Sequence, residues 1–398
     1  MSEEKYTYRL PPCPWYEVES VQAWLEDMAG RGLVLEKDGF FLGLASFRKT
    51  VPQKRKYRLE AVGKKQRALM EEWDGPGELE LELAEDFGWE YVARRDQFYI
   101  YTTEDEKATE MHTDPAVAAI ALKRVVKQQR WNLVDSLFWT ALYPLWMIRG
   151  GIISTMLAMG TVWSLAVMGL LLAKLVGNVV GMVHLHRLRS SLAAGQPPEK
   201  SRSWRSRGKW YIGGRVLALV LVCACVGNLL CVWSDDLMDV GRVPLQEFAG
   251  EPPFAAMAEL LDGDFSQENY GFSNTVRRWS EPVAPENWEW DQIGRVKRPN
   301  GTVISGGLDV QYHVLANGLL ARHLAWECYT RYRLERNFEL LELELPQVDY
   351  AVALRGQLHF DTVILRHGSK VLVAQFYQTS ETRMPLEQWA AVFAEGLV

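Results

Sequence analysis

Residues 131–183, WNLVDSLFWTALYPLWMIRGGIISTMLAMGTVWSLAVMGLLLAKLVGNVVGMV, and residues 211–233, YIGGRVLALVLVCACVGNLLCVW, decide how this chain is built. A bilayer core of about 30 Å takes about 20 apolar helical residues to cross. Three blocks qualify by length or nearly so: 131–148, 152–183 (a crossing over about 152–175) and 211–233. In the third block the one full charge is Arg215, near its start, where a long side chain reaches the headgroups. In the first, Asp135 and Pro144 weaken the case, and Arg149-Gly150-Gly151 is the expected turn.

Charge sets an expected orientation. The connection 184–210 carries Arg187, Arg189, Lys200, Arg202, Arg205, Arg207 and Lys209 against a single acid, Glu199. Cytoplasmic loops have that composition. Lys123, Arg124, Lys127 and Arg130 precede the first block and should stay on the same side. Two flanks on one side require two crossings between them, so the tract 131–183 folds back and 211–233 exits. The run Asp235, Asp236 and Asp239 beyond the third block is compatible with an outer side. The expectation is therefore a plasma-membrane protein with three spans, residues 1–125 in the cytosol, a membrane region 126–233 and an extracytoplasmic domain 234–398. The seven basic residues of the connection are the expected contact for anionic lipid headgroups, at about 1 kcal/mol per basic residue held near the surface.

The rest of the composition narrows the classes. The formal charge is −6, with the basic residues concentrated beside the membrane tract, which argues against nucleic acid. The N-terminal MSEEKYTYRLPPCPW has acids and prolines and no apolar core, so no secretory signal is expected there. Three of five cysteines, Cys223, Cys225 and Cys231, lie in the third block, and Cys13 and Cys328 fall on opposite expected sides, so no disulfide framework arises.

In the first domain, Val21, Trp24, Leu25 and Met28 mark one helical face over 17–30, with Gly30 and Gly32 as stops. Strands follow over 33–36 and 40–47 around Lys37-Asp38-Gly39, and another over 56–61. Residues 78–102 repeat the plan: a helix over 78–87 facing inward through Leu79, Leu83 and Phe87, a strand 90–93, a turn 94–97 and a strand 98–102. The spacing predicts a duplicated helix–strand–strand α+β domain of ferredoxin-like kind, one antiparallel sheet with both helices on one face. Trp24-Leu25 and Met28 with Gly32, Phe47, Tyr57-Arg58-Leu59, Phe87-Gly88-Trp89-Glu90-Tyr91-Val92, Tyr99-Ile100-Tyr101 and Thr113-Asp114 together resemble the bacterial family called domain of unknown function 2812. The resemblance covers about the first third of the chain, and Gly32-Leu33 departs from the family's more usual Gly-Trp. It implies a domain placed before membrane helices and no catalytic residue. By family context it also implies a PadR-type transcription regulator as a partner, and a signalling role at the envelope.

The last domain reads as a second α+β unit. A short helix is expected over 254–261, strands or irregular edges over the aromatic-rich 270–279 and 288–296, an amphipathic helix over 314–334, a hairpin of 358–365 and 370–377, and a closing helix over 385–397.

No catalytic, cofactor or metal site stands out. His184 and His186 are two apart and sit on different helix faces; a basic interfacial cap explains them better than a metal. Cys223, Cys225 and Cys231 read as small apolar membrane residues. His323, Cys328 and Asp309 have the types of a nucleophilic triad without a motif around the thiol, and His313, His359 and His367 lie on separate elements. Glu78, Glu80, Glu82, Glu85 and Asp86 read as a solvated acidic face. Gly306-Gly307 and Gly63-Lys64-Lys65 lack a phosphate-loop pattern. Signalling or interaction is the expected role. The alternatives are an envelope hydrolase or processing factor using His or Cys of the last domain, and a structural subunit of a membrane complex.

Overall fold

The structure is a computed structural model that describes residues 6–41, 43–62, 75–105, 108, 115–196, 204–238, 241–268, 273–335, 339–356, 360–378 and 385–398, with side chains 232–238 and 334–335 outside the description. Gly63-Lys64-Lys65, Thr113-Asp114, Glu199, Lys200, Arg202, Asp239, His359 and the side chains of Asp235 and Asp236 thus lie outside the described residues. The chain divides into two compact units, residues 1–140 with 170–222, and residues 141–169 with 223–398.

The first unit begins with a β–α–β–β plan used twice: β1 (Tyr6–Arg9), α1 (Val18–Ala29), β2 (Leu33–Phe41), β3 (Leu44–Lys49), then β4 (Lys56–Ala61), α2 (Glu78–Asp86), β5 (Glu90–Arg95), β6 (Phe98–Thr103). Each half makes its own three-stranded antiparallel sheet, in the orders β1-β3-β2 and β4-β6-β5. The expected single sheet is therefore two. In each half the extra strand precedes the helix and pairs with the second arm of the hairpin. The expected turn at Lys37-Asp38-Gly39 is instead an irregularity inside β2, where pairing with β3 shifts between Leu35 and Phe40. The reversal comes at Gly43, with φ +78°. The turn expected over 94–97 is present as Asp96-Gln97, with Asp96 at φ +55°.

The two helices lie on different faces. Phe98 and Ile100 of β6 join Trp24, Leu25 and Met28 of α1 and Phe47 of β3 in one buried cluster. Tyr99 and Tyr101, one residue out of phase, join Ala84 of α2 and Trp89 in another. Strand alternation sends adjacent residues to opposite faces, so one strand serves both cores. Leu79 and Leu83, expected to face inward, are exposed, and α2 packs through Leu81, Ala84 and Phe87. In an acidic helix this short, one small buried residue sets the phase.

Four helices follow: α3 (Pro115–Gly150), α4 (Ile152–Met159), α5 (Thr161–Ala193) and α6 (Trp204–Met238). At 1.5 Å per residue α3 is about 54 Å long, more than a bilayer core needs. Its first turns, through Ala119, Leu122 and Val125, and the last turns of α5, through Leu185, Leu188 and Leu192, close the α1 core. Along the next stretch α3 and α5 are joined by polar contacts: Gln129 Nε2 donates to the Asn178 carbonyl (3.0 Å), Asn178 Nδ2 to the Asn132 carbonyl (3.2 Å), and Lys174 pairs with Asp135 at 2.9 Å. Lys174 of α5 thus has the acid of the first block as its partner. Thr161–Ala193 and Trp204–Cys231 are each long and apolar enough to cross a membrane, and α3 and α4 qualify as a pair bent by 97°. Their apolar residues point outward, among them Leu165, Val176, Leu217, Val220 and Leu230. Water does not tolerate such a surface, and lipid does.

The second unit carries β7 (Arg242–Pro244), α7 (Met257–Leu261), β8 (Asp264–Gln267), β9 (Thr275–Glu281), β10 (Ala284–Lys297), β11 (Val303–Val314), α8 (Gly318–Glu335), β12 (Glu339–Glu342), β13 (Tyr350–Arg355), β14 (Phe360–His367), β15 (Lys370–Gln378) and α9 (Leu386–Leu397). The strands form one antiparallel sheet in the order β12-β13-β14-β15-β11-β10-β9-β7, with β8 on the far half of β10. Alternation again loads both faces. Ala353, Val363, Leu365, Leu372, Ala374 and Phe376 pack on Trp389 and Phe393 of α9 and Met257 and Leu261 of α7. Val352, Leu354, Ile364, Val371 and Val373 pack on Leu324, Ala325 and Cys328 of α8 and on Ile153 and Leu157 of α4. The short expected helix, the long one, the hairpin and the closing helix are all present within a few residues of their expected bounds. The central β11 lay in a stretch with no assigned element.

Candidate functional site

The expected turn at Gly150-Gly151 is a break with two glycine corners, Gly151 at φ +87° and Gly160 at φ +91°, and the eight-residue α4 between them. Four helix ends flank these corners, and each exposes backbone groups that have no partner within its helix. The C-terminal domain supplies partners. Glu327 of α8 accepts from the Ile153 amide (3.1 Å), the Ser154 amide (3.0 Å) and the Ser154 hydroxyl (3.1 Å), so a buried carboxylate sits on the N-terminus of α4. One turn on, Arg331 donates to the Gly150 carbonyl at the end of α3 (2.8 Å). Glu281 of β9 accepts from the Thr161 amide at the start of α5 (2.9 Å). Acids at two N-termini and a cation at a C-terminus match the sense of each helix dipole.

Beside this joint is a cavity of about 550 Å³. Its wall on one side is the sheet face that α8 leaves uncovered. Trp288 and Trp290 of β10 face the α7–α9 core, so Asn287, Glu289 and Asp291 face the other way, as do Asp309, Gln311 and His313 of β11. Arg277, Trp279 and Glu281 of β9, Glu289, Gln311 and His313 line the cavity with Ser154, Leu157 and Met159 of α4, Leu324, Cys328 and Arg331 of α8, and Asn228 and Cys231 of α6. Arg277 lies over the Trp279 ring at 5.3 Å, and Arg242 pairs with Glu289 at 3.4 Å.

The electrostatics of this face are set by burial. Asp309 stands directly across from Asp291, and its carboxyl is pushed up to about 7 by burial and by the charges of Asp291 and Glu289, against the pull of Arg242. Burial also raises Asp291. His313 is buried and held down to about 4. Its Nδ1 is 2.8 Å from Asn287 Oδ1, an oxygen that only accepts, so Nδ1 carries the proton and Nε2 keeps its lone pair. Asn287 Nδ2 donates to the Ala284 carbonyl (2.7 Å), which fixes the amide's orientation.

The residues singled out in the sequence are dispersed. His323 pairs with Glu327 at 3.1 Å, while Cys328 is buried in the α8 core with its thiol pushed up to about 12 by burial. A thiol held there is protonated at neutral pH and is a poor nucleophile. Of the three histidines on separate elements, His313 lines the cavity and His367 lies at the β14–β15 turn. His184 stands 3.5 Å from Glu19 of α1, and His186 is exposed. Among the described residues no group of three or more His, Cys, Asp or Glu is arranged to hold a metal ion. Glu78, Glu80, Glu82, Glu85 and Asp86 are all exposed. Gly306 and Gly307 lie inside β11, where a side chain would collide with Tyr377. Of the basic connection, Arg187 and Arg189 end α5, and Arg205, Arg207 and Lys209 open α6. Arg205 pairs with Asp27 and Arg207 with Glu17 (4.0 Å), so part of that charge is engaged by α1.

The residues that build the joint were not among the sequence candidates. Glu327 and Arg331 look like an ordinary i, i+4 pair on a helix surface. The polar wall had a signal, the alternation of Asn287, Glu289 and Asp291 with Trp288 and Trp290, which gives β10 one apolar and one polar face.

No curated protein and no solved structure matches the chain. Residues 17–134, from α1 into α3 and just under a third of the chain, match the family described as "Protein of unknown function (DUF2812)".

Proposed function

We propose that this is an integral membrane sensor or regulator, crossing the bilayer three times through α3, α5 and α6. Its DUF2812 domain lies in the cytosol and its C-terminal domain outside. The observation that carries the reading is the cavity of about 550 Å³, whose wall combines strand side chains of the C-terminal domain with residues of α4 and α6. A ligand seated there touches the soluble domain and the membrane helices at once, and differential contact is what shifts a conformational equilibrium. Charges of both signs and the Trp279 face suit a small polar ligand, with α4 and its carboxylate cap as the moving part. The cytosolic domain passes the change to a protein partner, for which a PadR-type regulator is the proposal that the family context supplies. The basic flanks support the orientation, and Arg187, Arg189, Lys200, Arg202, Arg205, Arg207 and Lys209 form a membrane-surface patch for anionic headgroups.

The envelope-hydrolase reading has one observation in its favour, that Cys328 and His313 line the same cavity. An active thiolate–imidazolium pair needs a lowered thiol and a raised imidazole; both are displaced the other way here. Reporter fusions after Pro198 and at Val398 test the topology. A cytosolic signal at the first and an extracytoplasmic signal at the second is expected. A cytosolic signal at Val398 refutes the reading.

A further inference from the structure

A second cavity, of about 310 Å³, lies wholly within the first unit and is lined by Arg94, Arg95 and Arg215 with Trp15, Phe40 and Tyr211. We infer that it is a binding site for a phosphate group, as a lipid headgroup or a soluble phosphate compound, held by the three guanidinium groups against an aromatic wall.

Arg95 is the centre of the argument. It is 8% exposed, which is rare for arginine outside a paired setting. Its Nη2 donates to the Cys13 carbonyl at 2.7 Å, and the guanidinium lies over the Phe40 ring at 5.5 Å. Its Nη1 is buried with no hydrogen-bond partner among the described residues. Burial and the nearby Arg215 both work against its cationic form. Arginine nevertheless keeps its charge in proteins. The acid lining the cavity is Asp96 at the hairpin turn, whose carboxyl feels the charges of both Arg94 and Arg95, and Arg94 Nε donates to the Asp96 backbone carbonyl (2.9 Å). Arg215 Nη1 donates to the Gly43 carbonyl at 3.4 Å, and a side chain at Gly43 would collide with that guanidinium. Three cations thus converge with one acid in the lining, which leaves the cavity positively charged around the unsatisfied Nη1 of Arg95, and buried charge in excess of its counterions is unfavourable. An anion restores the balance. Guanidinium forks match phosphate oxygens in a bidentate manner, and the volume leaves room for the carbon skeleton of a headgroup beside the rings.

Tyr211 and Arg215 stand at the start of the apolar stretch of α6, the depth at which aromatic and basic side chains meet headgroups. None of the described residues of the basic connection 187–209 lines this cavity, which sets it apart from their surface charge.

The test uses the full chain in dodecyl maltoside, a detergent without phosphate, with and without added phosphatidylglycerol. Thermal midpoint and the lipid retained in native mass spectra are the readouts, and inorganic phosphate is compared with chloride at equal ionic strength. A rise in midpoint with phosphatidylglycerol, with one lipid retained, identifies a lipid source. A rise with inorganic phosphate in detergent alone identifies a soluble one. Either gain should be lost in Arg215→Gln and Arg94→Gln, which lie at the rim and are less prone to misfold than Arg95→Gln. It should persist in the Arg187→Gln, Arg189→Gln double variant. No gain from either anion, or an equal gain in the Arg215 and Arg94 variants, overturns the site, and the outcome is independent of where the C-terminal domain lies.

Discussion

Glu327 and Arg331, one turn apart on α8, hold the two sides of a single helix break: the carboxylate sits on the first amides of α4 and the guanidinium on the last carbonyl of α3. The chain turns by 97° at Gly151 without leaving the amides at 153 and 154 or the Gly150 carbonyl bare. That grip joins the C-terminal sheet to the helical hairpin, and any motion of α4 must pass through it.

Glu327→Ala should destabilise the protein by about 3 kcal/mol, since it strands buried amides that a charged acceptor had satisfied. Glu327→Gln keeps one acceptor oxygen and should cost about half as much. Thermal unfolding in detergent checks both, and protease cleavage near Gly151 should rise in the same order. Equal stability of Glu327→Ala and the wild type would show that the cap contributes nothing.

Alanine at the two glycine corners should separate strain from collision. Both sit at φ near +90°, where a side chain costs about 1–3 kcal/mol. At Gly151 a Cβ would also come within 2.6 Å of Glu327 Oε2, whereas at Gly160 the nearest atom, Asn228 Nδ2, is 3.5 Å away. Gly151→Ala should therefore lower the thermal midpoint more than Gly160→Ala.

Asp309 and His313 should oppose each other in the pH dependence of stability. An Asp309 that titrates at 3.8 unfolded and about 7 folded keeps its proton only in the native state between those values. Its contribution to stability therefore falls as pH rises from about 4 to 7. A His313 at 6.5 unfolded and about 4 folded takes its proton first in the unfolded chain, so its contribution is lost as pH falls through the same window. Relative to wild type, Asp309→Asn should gain stability as pH rises from 4 to 7. His313→Gln should improve, relative to wild type, as pH falls from 6.5 to 4. Thermal midpoints at several pH values read both, and difference curves with no slope would refute the assignment.

Trp389→Ala should cost about 3–5 kcal/mol, because the ring is buried in the α9 core and packs edge-on to Phe376 with centroids 4.0 Å apart. Asp27→Asn, which breaks surface pairs with Arg31 and Arg205, should cost under about 1 kcal/mol. Denaturant titration separates the two.

Periodicity made much of this fold legible. The amphipathic faces of α1 and α9, the β14–β15 hairpin and the repeated plan of the first domain follow from spacing alone. A helix stripe or a strand alternation records which side is buried, whatever lies on that side. The count and pairing of strands was less accessible. Among the described residues no pairing joins β2 to β5, so one expected sheet became two, and β11 lay hidden because Gly306 and Gly307 inside it, which make room for Tyr377, interrupt its strand pattern. The phase of α2 followed Ala84 rather than the larger leucines, since a short helix turns to fit the sheet beneath it.

By itself the sequence determined an apolar tract too long for one crossing, the place where it folds back, and a stretch ahead of it that resembles DUF2812, because hydropathy, glycine and local spacing act over a few residues. Only the tertiary structure decided that Glu327 and Arg331 grip that fold, that Asp309 faces Asp291, and that three arginines from two distant segments converge beside Phe40. Those relations join residues from about 20 to nearly 200 positions apart, and charge and burial gain their meaning from neighbours that the chain brings together only when it folds.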